Sequence, residues 1–373
     1  MQSLFSRIRV ALIFGGVSSE QEISCATAGG IFNAIDRDRF EVVGIGIAKD
    51  GRWVRVPDEE LAGFKIDGGH LPALDGEYPE AVLLRGAQGV EVGVRNGGQL
   101  RDLVDVDVAF ALLHGPFGED GTIQGFFEML GLRYVGAGVA ASAMVMDKDL
   151  TKKALATAGI PVVPWLTVGA SLWAAQPQDV VDRVVGEFAF PVFVKPARSG
   201  SSIGMSRVRT PDELSKAMAL ALAHDPKVII EQGLVGAREI ELGVIGGRGG
   251  GRPRVSVPGE VVVAGNDGFY DYAAKYLGRD YVSLDVPADV PEELAGILRQ
   301  RAGQVFEVMQ VEGLARVDFF VKDGIPLVNE LNTMPGFTSK SLFPLVWEAA
   351  GVSYSELISE LIHLALERPL GVR

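Results

Sequence analysis

Two stretches near the C-terminal end constrain this chain most: Leu314–Val321 (LARVDFFV) and Ile325–Asn332 (IPLVNELN). Both alternate as half-buried strands do, and Asp323-Gly324 between them is a hairpin signal. On the first strand Ala315, Val317, Phe319 and Val321 share one face, while Arg316 and Asp318 share the other. On the second, Glu330 and Asn332 stand two apart and point the same way. With residue 318 opposite 330, all four polar groups line one face of a two-stranded ribbon. Two carboxylates and an amide oxygen are hard ligands of the kind Mg²⁺ takes, and Mg²⁺ completes its shell with waters and phosphates. A salt-bridged, half-exposed hairpin would use the same residues, so the upstream motifs decide.

The chain of 373 residues is long enough for two or three domains. A net charge of −13 argues against a nucleic-acid or membrane-surface partner, because phosphate contacts need cations. The one cysteine, Cys25, excludes an intrachain disulfide framework and a multi-cysteine zinc site, and reads as a small buried hydrophobe. Arg7 and Arg9 before Val10–Phe14 faintly resemble a secretion signal, but the apolar run is short and ends in Gly15-Gly16. No run approaches the roughly 18–20 apolar residues of a membrane span. A cytoplasmic protein is the expectation.

Taken in order, Ile8–Phe14 reads as a buried parallel-type strand, then a helix with a capping box at Ser19 and Glu22, then strand Glu41–Ile47. Such a βαβ unit implies a doubly wound sheet, yet the dinucleotide fingerprint G-x-G-x-x-G is missing. Glu20 sits just past the carboxyl end of a strand, where open α/β sheets bind ligands; an acid in a first helical turn also has a dipole explanation. Residues 50–104 are poorly patterned, with a hairpin expected over Ala81–Leu84 and Val90–Val94. His114 leaves the end of strand Val106–Leu113 at the same sheet edge as Glu20.

A helix from Asp147 to Gly159 carries Lys148, Lys152 and Lys153, ordinarily a solvated face. Strand Phe190–Pro196 ends in Lys195 and runs through Ala197–Met205 (ARSGSSIGM) into a further strand. That loop joins strand to strand, unlike a Walker loop, and its small residues let backbone N–H groups face an anion beside Lys195. A flexible hairpin tip is the plainer alternative. A domain junction falls near 232–238, and the aromatic loop Gly265–Tyr276 has the composition of a lid. Asp149 and Ser199 carry no role in this reading.

Seven motifs in order then resemble the ATP-grasp superfamily and, within it, the D-alanine–D-alanine ligase family. They are residues 15–24 (GGVSSEQEIS), 112–121 (LLHGPFGEDG), 146–148 (MDK), 193–204 (FVKPARSGSSIG), 269–276 (FYDYAAKY), 315–320 (ARVDFF) and 329–342 (NELNTMPGFTSKSL). The resemblance implies a three-domain architecture: a Rossmann-like parallel sheet over 1–141, a small central domain over 142–235 and an antiparallel-sheet domain over 236–373.

By the same resemblance, ATP lies between the last two domains. Lys148, Lys195, Ser202 and Lys275 serve the phosphates, Glu231, Gln232 and Leu234 the adenine edge, Glu239 the ribose, and Asn329 also the nucleotide. Asp318, Glu330 and Asn332 match the ligands of two Mg²⁺ ions, with Mn²⁺ able to substitute. Glu20, Ser201 and Tyr276 match a set that orients the first D-alanine and tethers the lid, with His114 in the same pocket. Arg316 and the Gly336 amide match oxyanion donors, and Ser341 with Leu342 the second carboxylate site. A homodimer is implied as well. Rival readings are a D-alanine–D-lactate ligase on the same scaffold, a nucleotide-binding regulator without turnover, and a dehydrogenase suggested by the βαβ unit alone.

Overall fold

The computed structural model describes residues 7–67, 70–263 and 282–371. Three sheets organise it, and the first is built around β1 (Ile8–Gly15). In β1, Val10, Leu12 and Phe14 belong to one buried cluster and Ala11 and Ile13 to another. A continuous apolar run is what a strand covered on both faces requires. It pairs in parallel with β2 (Phe40–Ile47) and with β7 (Val108–Ala111), and β8 (Arg133–Tyr134) adds a further parallel strand.

The expectation of a parallel sheet holds for this half only. β3 (Trp53–Arg55), β4 (Glu80–Arg85), β5 (Val90–Asn96) and β6 (Gln99–Val106) extend it antiparallel, in spatial order β6-β5-β4-β3-β2-β1-β7-β8. The 81–84/90–94 hairpin is therefore part of this sheet, and the glycine-rich stretch around it hid the short strand that connects it. The capping box at Ser19 is a second correction. The helix is Gln21–Ala34 with Glu20 at its N-cap and no side-chain cap bond. Glu22 instead pairs with Lys49 at 2.5 Å.

The central sheet runs β11 (Ser206–Val208), β10 (Val192–Pro196), β12 (Lys227–Gln232), β9 (Trp165–Gly169), all antiparallel. Val192, Val194, Val228 and Ile230 pack against the Pro177–Glu187 and Leu214–Leu222 helices. Alternation then sends Lys195 and Glu231 to the opposite face.

The third sheet has the order β16 (Val282–Asp285), β15 (Gly259–Val263), β13 (Arg238–Ile245), β17 (Leu314–Lys322), β18 (Ile325–Asn332), with β14 (Arg254–Val255) paired to β13. Ile240, Leu242, Val244, Val317 and Phe319 bury against the Glu292–Val308 helix. Asp323 and Gly324 take positive φ at the β17–β18 turn, as a two-residue hairpin needs. The last helix, Tyr354–Glu367, returns to the first sheet, where Leu357, Ile358, Leu361 and Ile362 join the cluster of Val10, Leu12 and Phe14. No helix among the described residues is long and apolar enough to cross a membrane.

Candidate active site

The cross-strand register puts Asp318 opposite Glu330 and Arg316 opposite Asn332, so the four polar groups of the ribbon do share a face. A β-bulge next to Asp318 adds a detail that alternation does not supply: Phe319 pairs with Val328, leaving Asn329 as the extra residue. Strict alternation would place Val328 beside Glu330. The bulge instead turns Val328 into the core, while Asn329 and Glu330 both reach the cavity. The Asn329 Oδ1 atom is buried there without a hydrogen-bond partner.

That cavity, of about 1170 Å³, lies where the three sheets meet. Glu20 and His114 line it from the first sheet, Lys148, Lys195, Ser201, Ser202, Glu231, Gln232 and Leu234 from the central region. Glu239, Arg316, Asn329, Glu330, Asn332, Gly336, Ser341 and Leu342 complete it from the third. Asp318 is absent from the lining. It is buried behind Arg316, whose Nε and Nη2 donate to its two oxygens at 2.7 Å each, and Asn332 Nδ2 donates to Oδ2 at 3.0 Å. Lys275 and Tyr276 lie outside the described residues.

Arg316 is also held by Glu241 of β13, at 2.8 Å from the same Nε. Burial disfavours its charge, but Asp318 and Glu241 outweigh that and raise its pKa well above the ordinary value. The guanidinium is a fixed cation. Sequence reasoning missed Glu241, although its place two residues after Glu239 puts it on the same face of β13.

On the central sheet, Phe193 pairs with Glu231, so Lys195 and Glu231 are diagonal neighbours on the cavity face. Lys195 contacts Oε2 of Glu231, and Lys152 Nζ lies 2.8 Å from Oε1. Lys152 therefore corrects the reading of a solvated face. One helical turn beyond Lys148, it points inward, and its side chain is 2% exposed. Burial raises the Glu231 pKa, but the two lysines overcome it and hold the carboxyl at about 2.

Lys148 Nζ donates to the Ser199 carbonyl at 2.7 Å, which gives Ser199 a place in the site. In the glycine-serine loop Ser201 (φ 49°) and Ser202 (φ 58°) are both left-handed, a conformation that costs free energy and clusters at ligand sites. Asp225 clamps the loop's base, accepting from the Arg198 backbone N–H at 2.9 Å and from its guanidinium. Asp149 is buried and accepts from Trp165 Nε1 and Thr167 Oγ1, tying its helix to β9.

His114 Nδ1 faces the Met334 carbonyl at 3.2 Å, and its buried Nε2 has no partner. With Nδ1 protonated, Nε2 accepts in the neutral ring and donates in the imidazolium. Glu119, beside it, accepts from the Gly115 N–H at 2.7 Å and from the Met334 N–H at 3.2 Å. Burial raises its pKa, although His114 and the two N–H groups act the other way. Glu119 thus joins the first sheet to the loop after β18, and sequence reasoning gave it no role. In that loop a Cβ on Gly336 would come 3.2 Å from Ser341 Oγ, and Ser341 Oγ accepts from the Thr338 N–H at 3.1 Å.

No group of three or more His, Cys, Asp and Glu able to hold a metal occurs among the described residues. The ribbon instead offers two carboxylates and one amide, an all-oxygen set suited to a Mg²⁺ ion that takes its other ligands from phosphate.

Residues 9–137 match the family model of the D-ala D-ala ligase N-terminus, and residues 154–363 that of the C-terminus. The chain is 49% identical to a D-alanine–D-alanine ligase of Kineococcus radiotolerans, covering 98% of both chains. Its structure is similar to that of the Coxiella burnetii D-alanine–D-alanine ligase, with TM-score 0.81, 32% identity and coverage of 98% of this chain and 95% of that one. It is also similar to the VanG D-Ala:D-Ser ligase of Enterococcus faecalis, with TM-score 0.80, 30% identity and coverage of 96% and 100%. With both halves matched in order around one cavity, this chain belongs to the D-alanine–D-alanine ligase family, whose fold is that of the ATP-grasp enzymes.

Proposed function

We propose that the cavity joins two D-alanine molecules into D-alanyl-D-alanine, with ATP converted to ADP and phosphate, for peptidoglycan precursor synthesis in the cytoplasm. The observation that carries this reading is the single cavity lined together by Glu20 and His114, two lysines, the glycine-serine loop, and Arg316 with Glu330. Lys148, Lys195 and the backbone of Ser201 and Ser202 take the phosphates, since a left-handed pair beside two cations suits an anion. The 231–234 segment lines the adenine end and Glu239 the ribose, with Asn329 near the phosphates. Glu330 and Asn332 on the cavity wall would hold Mg²⁺, with Mn²⁺ a substitute, and Asp318 would join them only by giving up part of its hold on Arg316; bound there the ion would draw off charge from the phosphates.

The first D-alanine lies against Glu20 and His114, Glu20 facing its ammonium and the imidazole its carboxylate. That carboxylate attacks the γ-phosphorus and gives an acyl phosphate with loss of ADP. The second D-alanine, its carboxylate at Ser341, Leu342 and the first N–H groups of the Leu342–Ala349 helix, presents its amine to the acyl carbon. Arg316 and the Gly336 N–H then steady the oxyanion as phosphate leaves.

An assay of ADP release with D-alanine alone, with D-lactate added and with D-serine added tests the assignment. Turnover to the dipeptide with D-alanine alone is expected. A product formed only with D-lactate or D-serine would transfer the chain to a rival specificity, the second of which the VanG likeness motivates. A homodimer is the family expectation, and sedimentation equilibrium measures it.

A further inference from the structure

Behind Lys195 stands a lysine that the reaction above does not use. Lys152 is closed off from the cavity, while Lys195 and Glu231 line it. Its ammonium forms an ion pair with Glu231 Oε1 at 2.8 Å that lacks hydrogen-bond alignment, and it donates to the Val163 carbonyl at 3.3 Å. Val163 is itself tied to the ribbon, its N–H donating to the Val328 carbonyl at 3.2 Å. From the interior outward the order is therefore cation, carboxylate, cation, cavity. Glu330 on β18 and Glu239 on β13 are the other acids acting on these lysines.

We propose that Lys152 is a positioning residue for the nucleotide, holding one oxygen of Glu231 so that the carboxylate aims Lys195 without neutralising it. The inference rests on the assignment of Lys195 to a phosphate. Within the contact triad itself, two lysines on one carboxylate leave a single surplus positive charge, while Glu330 and Glu239 act on it electrostatically from outside the triad. Because Lys152 is sealed from the cavity, that surplus is available to a ligand only at Lys195. A lone Glu231–Lys195 pair would be neutral, and a phosphate would have to compete with a buried carboxylate for the same ammonium.

Calorimetric titration with ADP and Mg²⁺, together with steady-state kinetics, tests this in the full-length protein. Lys152→Met should raise the ADP Kd and the ATP KM on the order of tenfold, the scale of removing one unit charge that does not touch the ligand. The kcat and the D-alanine KM should stay within about twofold, because the acyl-transfer groups are untouched. Adding Glu231→Gln to Lys152→Met restores the surplus charge and, because the Glu231 carboxylate is turned to the lysines, leaves the 231 backbone at the adenine end as it was, so ADP affinity should return to within about threefold of the starting protein. A purely structural lysine would give the opposite: nucleotide and D-alanine parameters worsening together, and a double variant no tighter than the single one. Either result overturns the proposal.

Should Lys152→Met fail to fold, the double variant, which has no unpaired buried acid, decides alone by its ADP affinity. Lys195→Met separates the two levels of the argument. If it binds ADP as the starting protein does, the phosphate assignment has failed and the role of Lys152 falls with it. If it loses ADP while Lys152→Met does not, only the present inference is wrong.

Discussion

Arg316 shows how one side chain is specified by its surroundings. Asp318 takes two of its N–H groups, Glu241 shares one, and the strand beneath is buried. A lysine has the charge but not the planar fork. If Arg316 is the oxyanion donor proposed above, Arg316→Lys should lower kcat by about 100-fold or more with little change in the ATP KM. ADP release at saturating D-alanine measures it, and an undiminished kcat would remove Arg316 from the chemistry. Cys25 illustrates the opposite case, a reactive type made inert. Burial pushes its thiol up to about 12, with Glu22 adding to the shift. The thiolate is the nucleophile, so at pH 8 the native thiol stays protonated and should resist alkylation by iodoacetamide, reacting fully once the protein is denatured. Mass spectrometry of the two samples distinguishes them.

At the scale of elements, the site depends on how strand ends meet helix starts. Ser24, fully buried in the first helix, accepts from the Gly15 N–H at 2.7 Å and donates to the Leu112 carbonyl at 2.5 Å. It thus locks together the ends of the strands that present Glu20 and His114. Ser24→Ala leaves a buried N–H and a buried carbonyl unpaired, a loss of about 1–3 kcal/mol. Urea unfolding with an unchanged m-value should report it. Gly15 is as tightly bound: its φ is +91°, and a Cβ there would sit 2.4 Å from the Ile47 carbonyl oxygen. The bulge at Asn329 is the corresponding device on the third sheet, where one extra residue redirects two side chains.

Over the whole molecule, the cavity exists because distant segments are tied across it. Val328 exchanges backbone hydrogen bonds with Pro161 and Val163, and Glu119 reaches Met334. The chain's end is tied as well. Arg368, 7% exposed, contacts Glu128 at 3.3 Å, Tyr134 Oη at 2.7 Å and Glu312 at 3.1 Å, and it stacks over the Tyr134 ring. Removing one partner of a buried ion pair strands the other, so Arg368→Met should cost about 3 kcal/mol. Thermal unfolding would register it as a fall in Tm, with ADP affinity preserved at low temperature.

The local signals in the chain were sufficient for the ribbon, because period-two alternation and an Asp-Gly turn are decided by neighbours in sequence. They were sufficient too for placing Lys195 at a strand end before a small-residue loop, and for the buried run of β1. What required the folded molecule were groups whose meaning lies in a partner far along the chain. Lys152 looks like any helix-surface lysine until β12 brings Glu231 against it, 79 positions on. Glu241 is an unremarked acid until β17 sets Arg316 beside it. Asp149 and Ser199 acquire their roles from β9 and from Lys148. The half-antiparallel first sheet escaped for the same reason, since pairing is settled between strands and not within them. Alternation is a property of the backbone alone, whereas burial of a charge is stable only where another segment supplies its counter-charge, and that pairing arises when the chain closes.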